Sequence, residues 1–213
     1  MSVKRVVFIR PGETEWNKIG RWQGVVAVPL NTHGIEQAKR LAQFVRNIGL
    51  DAIYSSDVRR AKETASILSE YANAPIHYDN RLRERHLGLW QGLSMNEMRD
   101  WYKGQYEELL KDPLNARAPE GESRADVAER VTAFFNEMLA DSDGDVGIIS
   151  HTTAIRVLLS QLIPDINPFD MQFRNISVTT IVAQDDGSWK LTQLDDVTHL
   201  EGMQSGTFSG TLG

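Results

Sequence analysis

The sequence contains no cysteine among its 213 residues. Disulfide bonds, thiol nucleophiles and zinc–thiolate sites are therefore excluded. No apolar run approaches the roughly 20 residues that cross a bilayer. The net charge is -6, with acidic and basic residues interspersed, so there is no basic stripe for a nucleic acid or an anionic membrane. We therefore expect a cytoplasmic protein that binds neither nucleic acid nor membrane.

The chain also lacks an internal linker rich in Gly, Ser or Pro. Its length suits a single domain that buries one substantial core. We predict this domain over residues 1–200. The remaining residues, 201–213, are rich in Gly, Ser and Thr, which is typical of a flexible tail.

Three short apolar runs show no alternation of polar and apolar residues. Val6–Ile9, Ala52–Tyr54 and Val146–Ile149 are therefore predicted to be parallel strands covered on both faces by helices. Two later segments, Ser177–Val182 and Lys190–Leu194, are separated by polar turn residues and predict an antiparallel hairpin at one edge of the sheet.

Helical patterns alternate with these strands. Apolar residues recur at spacings of three and four in two segments: Ile35, Ala38, Leu41, Ala42, Val45 and Ile48 in one, Ala61, Ala65, Leu68 and Ala72 in the other. Capping signals at Ser94 and Ser123 predict the starts of two more helices, the first of them ending at Asp112-Pro113. The alternation predicts an α/β protein, a three-layer α/β/α sandwich with a mostly parallel sheet and an antiparallel edge strand.

The first strand is followed directly by Arg10-Pro11-Gly12-Glu13-Thr14. Considered alone, this segment is typical of a turn, because proline sets the φ of the first turn position and glycine tolerates the second. Four further segments stand at ends of predicted elements and change this interpretation: Ser55 to Ala61, Leu82 to Gly88, Gly121 to Ser123, and Ile148 to His151.

Together these segments resemble the histidine phosphatase superfamily, which contains the phosphoglycerate mutases and related phosphatases. The first segment is similar to the family's Arg-His-Gly-Glu-Thr signature. The resemblance extends from residue 3 to about residue 182 and implies a phosphoglycerate mutase-like fold. One departure is minor, because Thr152 stands where glycine is usual after the second histidine.

The resemblance also implies roles for single residues. Glu84 is the candidate acid that protonates the leaving alkoxide, and a bound phosphate ester would raise the pKa of such a carboxyl. Gln23 and Gly24 are expected to line the substrate mouth. The candidate phosphate-binding residues are Arg10, Asn17, Arg60 and His151. Arg59, next to Arg60, is interpreted as a surface charge.

Pro11 stands where the resemblance places the phospho-accepting histidine. In that mechanism a neutral imidazole nitrogen attacks phosphorus, and water later hydrolyses the phosphohistidine. The nitrogen of proline belongs to a backbone amide, its lone pair is delocalised, and its other ring atoms are carbon. Pro11 is therefore an inert residue at the nucleophile position. The fold should tolerate it, since a strand end can lack one hydrogen-bond donor.

Two functions remain open from the sequence. The favoured one is a phosphate-ester-binding protein with impaired or lost phosphatase activity, acting alone, as a homodimer or beside an active paralogue. The alternative is an active phosphomonoesterase, or with less support a mutase, that uses direct water attack or a substitute histidine: His33, His77, His86, His151 or His199. The substrate, and whether Pro11 is natural or introduced, are left open.

No metal or cofactor is expected. Asp141 to Asp145 begins like a calcium loop, but its glycine is fourth instead of sixth, and Thr152 occupies the twelfth position, where a glutamate belongs. The ligand should be phosphate or a small phosphorylated molecule. The segment 94–118, with Trp101, Tyr102 and Tyr106, is interpreted as a cap that sets substrate size or as an ordinary amphipathic helix.

Overall fold

The computed structural model describes residues 2–164, 166, 167 and 169–203. One sheet forms the centre of this part of the chain. Its strands are β1 (Val3–Ile9), β2 (Ala52–Ser55), β3 (Ile76–Tyr78), β4 (Gly144–Ile149), β5 (Val178–Ala183) and β6 (Trp189–Asp196). They lie in the order β3-β2-β4-β1-β5-β6.

The direction of the strands confirms the predicted fold class. β3, β2, β4 and β1 are parallel, whereas β5 runs against both of its neighbours. The reversed strand is therefore one position in from the edge. In the register, Ile149 lies opposite both Ile9 and Ser55, so the carboxyl ends of β1, β2 and β4 are level with one another.

Helices cover both faces of the sheet. They are α1 (Glu15–Lys18), α2 (Thr32–Ile48), α3 (Arg59–Ala72), α4 (Met95–Trp101), α5 (Lys103–Lys111), α6 (Arg124–Asp141) and α7 (Thr152–Leu162). Short 3-10 turns span Asn80–Leu82, Gly88–Trp90 and Thr198–Leu200. The two predicted amphipathic helices are α2 and α3, and capping boxes at Ser94 and Ser123 open α4 and α6 as predicted. In the described part of the chain, every helix is too short or too polar to span a membrane.

Each face of the sheet has its own core. On one face, Phe8 of β1 packs with Phe135 and Leu158 of α6 and α7. On the other face, Ile9 packs with Leu41 and Leu68 of α2 and α3. Because successive strand residues point to opposite faces, the unbroken apolar run of β1 supplies both cores.

The predicted cap segment differs from the expected single helix. The chain breaks at Tyr102, with φ of -125°, into α4 and α5. The ring of Tyr102 lies edge-on to buried Trp90, with 6.4 Å between ring centroids, and Met98 and Leu109 join the same small apolar cluster. The break thus lets both short helices pack on Trp90. The domain limits stay a prediction, and beyond Met203 the predicted tail lies outside the described residues.

The loop after β1 lies directly on the start of α2. A Cβ on Gly12 would come within 2.6 Å of the carbonyl oxygen of Gly34, and a Cβ on Gly34 would overlap the carbonyl oxygen of Glu13. The backbone N–H of Gly12 also donates to Thr64 Oγ1 at 3.2 Å. Two glycines therefore let this loop sit close to α2 and α3.

We predict that Gly34→Ala destabilises the protein by about 1–3 kcal/mol, because the added methyl group displaces a backbone carbonyl. In an open helix the same change stabilises by up to ~1 kcal/mol. Gly104→Ala in α5 is the matched control, because no atom lies within 4 Å of its added Cβ. Urea denaturation of both variants measures the two changes. Equal stability of Gly34→Ala and wild type would contradict the close approach.

Candidate functional site

Three neighbouring parallel strands end at the same edge of the sheet, and each is followed by a polar residue of the site. Arg10 follows β1, Ser56 follows β2 and His151 comes two residues after β4. Backbone hydrogen bonds continue the sheet past the strand ends, from Ser56 N to Ile149 O at 2.9 Å and from Ser150 N to Ile9 O at 3.0 Å. The level register therefore brings together residues that are far apart in the chain.

A cavity of about 470 Å³ opens at this edge. Every residue that the sequence singled out for the site lines it: Arg10, Pro11, Asn17, Gln23, Gly24, Arg60, Glu84 and His151. Their individual roles stay predictions, but the eight residues share one cavity.

Arg60 enters the cavity from the first turn of α3 and is 5 % exposed. Its Nη2 donates to Gly24 O at 2.9 Å and to His151 Nδ1 at 3.0 Å, and its Nη1 donates to Val26 O at 3.3 Å. Burial lowers the pKa of Arg60 to about 10, and the charge of Glu84 opposes that shift. Arg60 is therefore a rigid cation at neutral pH.

The neighbouring arginine has a different environment. Arg59 is exposed and pairs with Glu63 at 2.8 Å on the surface of α3. Its contacts agree with the predicted surface charge. Arg59 therefore faces solvent, whereas Arg60 faces the cavity.

The tautomer of His151 follows from its partners. A guanidinium group has only donors, so His151 Nδ1 must accept from Arg60. The proton of the neutral ring is then on Nε2, which donates to Ser56 Oγ at 2.9 Å. Burial, followed by the charges of Arg60 and Arg10, holds the pKa of His151 well below its usual value. The imidazole is therefore neutral, and both of its nitrogens are engaged.

Arg10 and Pro11 form the floor of the cavity at the end of β1. The N–H of Arg10 donates to Ser177 O at 3.3 Å, and its Nη1 donates to the carbonyl oxygen of Phe173. Pro11 follows this last strand donor, so its missing N–H leaves no gap in the sheet. Burial lowers the pKa of Arg10 to about 10, which leaves the group cationic.

Asn17 has a defined amide orientation. Its Oδ1 accepts from the backbone N–H of Thr14 at 3.1 Å and from Asn175 Nδ2 at 3.3 Å. Asn175 Nδ2 also donates to Pro11 O at 3.0 Å, which ties α1 to the strand end. Because the oxygen of Asn17 is occupied by these donors, its Nδ2 is the group available to a ligand.

Glu84 faces the N-terminus of α7. Its Oε1 accepts from the backbone N–H of Arg85 at 2.7 Å, and its Oε2 accepts from the N–H of Thr153 at 3.2 Å. Arg130 of α6 holds the same segment by donating to Arg83 O at 2.8 Å and Glu84 O at 3.1 Å. The carboxylate therefore has a fixed position on the cavity wall.

Sequence reasoning missed part of the wall. Arg85 and Arg156 line the cavity together with Asn175, Phe173 and two tryptophans, Trp16 and Trp22. Arg85 directly follows Glu84 in the sequence, and this position next to a candidate site residue could have identified it. Phe173 and Asn175 belong to an irregular segment before β5, and no pattern in the sequence marks them.

The other histidines stand outside the cavity. His77 stacks on Tyr54, with 5.1 Å between ring centroids, and His199 stacks on Phe44 at 5.7 Å. His86 Nδ1 accepts from Gly88 N at 3.1 Å, and His33 lies in the first turn of α2. In the part of the chain that the structure describes, no three His, Asp or Glu side chains come together in a group that could hold a metal ion.

Comparisons with known proteins agree with this geometry. Residues 6–197 match the family described as the Histidine phosphatase superfamily (branch 1). A probable phosphoglycerate mutase GpmB of Salmonella arizonae is 30% identical over 204 residues, covering 92% of this chain and 95% of that protein.

Two solved structures are similar throughout. A mycobacterial glucosyl-3-phosphoglycerate phosphatase in complex with VO3 has a TM-score of 0.83 and 31% identity, covering 91% of this chain and 100% of that one. YhfR of Bacillus stearothermophilus also has a TM-score of 0.83, with 30% identity over 92% of this chain and 99% of that one.

We predict that the buried neutral state of His151 makes the protein less stable in acid. The pKa of His151 is lower in the folded protein than in the unfolded chain, so the unfolded chain binds more protons below pH 6.5 and stability falls as the pH falls. Between pH 7.5 and pH 5.5 this group should remove about 1.4 kcal/mol. Urea denaturation of wild type and His151→Gln at both pH values measures how much of the lost stability is due to His151. An equal loss in both proteins would show that His151 is not a buried neutral group.

Proposed function

The chain belongs to the histidine phosphatase superfamily, and on that premise we propose that it binds phosphate esters while Pro11 blocks the covalent phosphohistidine route. Phosphatase activity is then impaired or lost. One observation carries the proposal: Pro11 lines the same cavity as Arg10, Arg60, Glu84 and His151. The side chains that would bind a phosphate ester line one cavity, but Pro11, which lies among them, has no nucleophilic atom.

The groups around the cavity suit a phosphate. Two buried cations, Arg10 and Arg60, supply positive charge and guanidinium N–H donors in addition to those already used within the protein, and such groups bind phosphate oxygens. The amide Nδ2 of Asn17 adds a neutral donor. Thr152 and Thr153 at the start of α7 line the cavity, and a helix N-terminus favours an anion; the N–H of Thr153 already donates to the Glu84 carboxylate. All of these groups support a site for a small phosphorylated molecule.

The covalent step lacks a nucleophile in this arrangement. The nitrogen of Pro11 is an amide without an available lone pair. His151 is the remaining imidazole at the cavity among the described residues, and its Nδ1 lone pair accepts from Arg60. A substitute histidine is therefore not supported. A mutase also depends on a phosphorylated residue that returns its phosphate, so the same argument disfavours it.

Direct hydrolysis is the second candidate, and the position of Glu84 favours it. A water molecule would attack phosphorus, the bond to the ester oxygen would break, and Glu84 would give its proton to the leaving alkoxide while the water proton passes to solvent. By analogy with nucleophile knockouts in covalent hydrolases, this route retains roughly a thousandfold enhancement over water. Turnover would be slow. A cytoplasmic location, and a homodimer or an active paralogue as partner, remain part of the proposal.

We predict that the protein binds inorganic phosphate and orthovanadate, and that Arg60→Gln weakens binding by about 10–100-fold, because it removes a charge-assisted hydrogen bond to the oxyanion. Arg59→Gln is the matched control from the adjacent position and should bind as wild type does. Isothermal titration calorimetry measures all three proteins. No binding at millimolar ligand by wild type would refute the proposed function.

We predict that Pro11→His raises kcat/KM for 4-nitrophenyl phosphate by about a thousandfold or more, because it restores an imidazole nucleophile. Pro11→Ala controls for loss of the proline ring and should stay as slow as wild type. Residual wild-type turnover that disappears in Glu84→Gln would favour direct water attack. A wild type as fast as Pro11→His would overturn the blocked covalent route.

A further inference from the structure

Gln91 lies outside the cavity, but its side chain contacts the loop that forms one wall of it. The Oε1 atom of Gln91 accepts from the backbone N–H of Val25 at 2.9 Å. In the chain, Gln91 follows the 3-10 turn Gly88–Trp90 and comes shortly before α4. A side chain at the base of the predicted cap segment therefore holds a loop of the cavity wall.

The approach of Gln91 to this loop is close enough to require a glycine. Gly24 has a φ of +52°, a conformation that residues with a Cβ rarely adopt. A Cβ on Gly24 would also overlap Oε1 of Gln91. The backbone conformation and the space around it thus both suit glycine, and the amide of Gln91 occupies the space that a side chain would need.

The carbonyl groups on either side of Val25 bind the guanidinium group of Arg60. Nη2 donates to Gly24 O at 2.9 Å, and Nη1 donates to Val26 O at 3.3 Å. Because two carbonyl groups bind two different arms of a planar fork, they set the plane of the guanidinium. The N–H that Gln91 accepts lies between these two carbonyl groups in the chain.

Other contacts hold the loop at its two ends. The backbone of Trp22 exchanges two hydrogen bonds with residues 92–93, at 2.8 and 2.9 Å. At the other end, the N–H of Leu30 donates to Glu63 Oε2 at 2.7 Å. Between these ends, Gln91 accepts a backbone N–H at the point where the loop meets the cavity. It therefore holds the part of the loop on which the site depends.

We propose that Gln91 is a positioning residue for phosphate binding: by holding Val25, it fixes the carbonyl groups that orient Arg60. The inference rests on the proposed function, in which Arg60 binds the phosphate. The same guanidinium plane directs Nη2 to His151 Nδ1 at 3.0 Å. Ser56 Oγ, the partner of the other ring nitrogen, can donate or accept, so Arg60 is the partner that selects the tautomer. Loss of the Gln91 acceptor should therefore release both the cation and the tautomer of the ring.

Gln91→Met tests the inference, because it keeps the length of the side chain and removes the acceptor. Calorimetry with inorganic phosphate should show binding about 3–10-fold weaker than that of wild type, the range that one lost hydrogen bond gives. Gln105→Met, at an exposed glutamine of α5, is the matched control and should bind as wild type does. Wild-type affinity in Gln91→Met would overturn the inference and leave the proposed function intact. No binding by wild type would refute the proposed function, and with it the role of Gln91.

A second readout distinguishes positioning from a loss of stability and needs no ligand. Nitrogen NMR of the histidine rings, at a pH where His151 is neutral, shows which ring nitrogen carries the proton. Wild type and Gln105→Met should show one tautomer, with the proton on Nε2, whereas Gln91→Met should show both. Gln91→Glu keeps an acceptor on a side chain of the same length and should retain the single tautomer.

Three results of this second experiment would overturn the inference. The first is a single Nε2–H tautomer in Gln91→Met, which would mean that the orientation of Arg60 does not depend on Gln91. The second is a mixture of tautomers in Gln91→Glu, although the acceptor is present. The third is unfolding of Gln91→Met in far-UV circular dichroism, which would show that Gln91 supports the whole fold instead of one cation.

Discussion

The hydrogen bond between Arg60 Nη2 and His151 Nδ1, at 3.0 Å, organises the cavity. It joins the first turn of α3 to the residue before α7, and so it links two helices that follow neighbouring parallel strands. Because arginine can only donate, this bond fixes the proton of the imidazole on Nε2 and directs that N–H to Ser56. The position of a cation and the tautomer of a buried histidine are thus decided by one contact. The same contact occupies the lone pair that a nucleophilic histidine would need.

In the proposed function, Pro11 separates the recognition of phosphate from covalent chemistry. In the fold it causes little disturbance, since β1 makes its last backbone donation at Arg10 and the carbonyl of Pro11 still accepts from Asn175. In the proposed chemistry it removes the attacking group. What remains around it, two guanidinium groups and a helix N-terminus, acts through charge and position. Such groups bind an oxyanion whether or not a bond to the protein forms.

Buried guanidinium groups make the cavity positively charged, and their burial destabilises the fold. Arg10, Arg60 and Arg85 lose hydration in the fold, and burial is the largest influence on the pKa of each. Arg10 and Arg60 donate hydrogen bonds to backbone carbonyl groups, whereas the guanidinium of Arg85 has no such compensation among the described residues. Cations desolvated before the ligand arrives need little reorganisation to bind it. The fold therefore holds a positively charged cavity at some expense of its own stability.

The sequence alone determined the fold class and eight residues of the cavity. Strand runs without alternation and the spacing of apolar helix residues follow from backbone geometry, which is local and so can be read from a short window. The motif residues Arg10, Arg60, Glu84 and His151 were found through the resemblance to the histidine phosphatase superfamily, whose motifs are short segments that can be recognised in the sequence. The break at Tyr102 was missed, because it depends on packing against Trp90.

Only the tertiary structure decided the rest. The tautomer of His151, the amide orientation of Asn17 and the unpartnered guanidinium of Arg85 each depend on groups from distant parts of the chain. Hydrogen bonding and desolvation act over a few ångströms in space, whatever the separation in sequence. The identity of a residue determines which charge or hydrogen-bond donor it offers, whereas the neighbours of that residue in the fold decide what the group can bind.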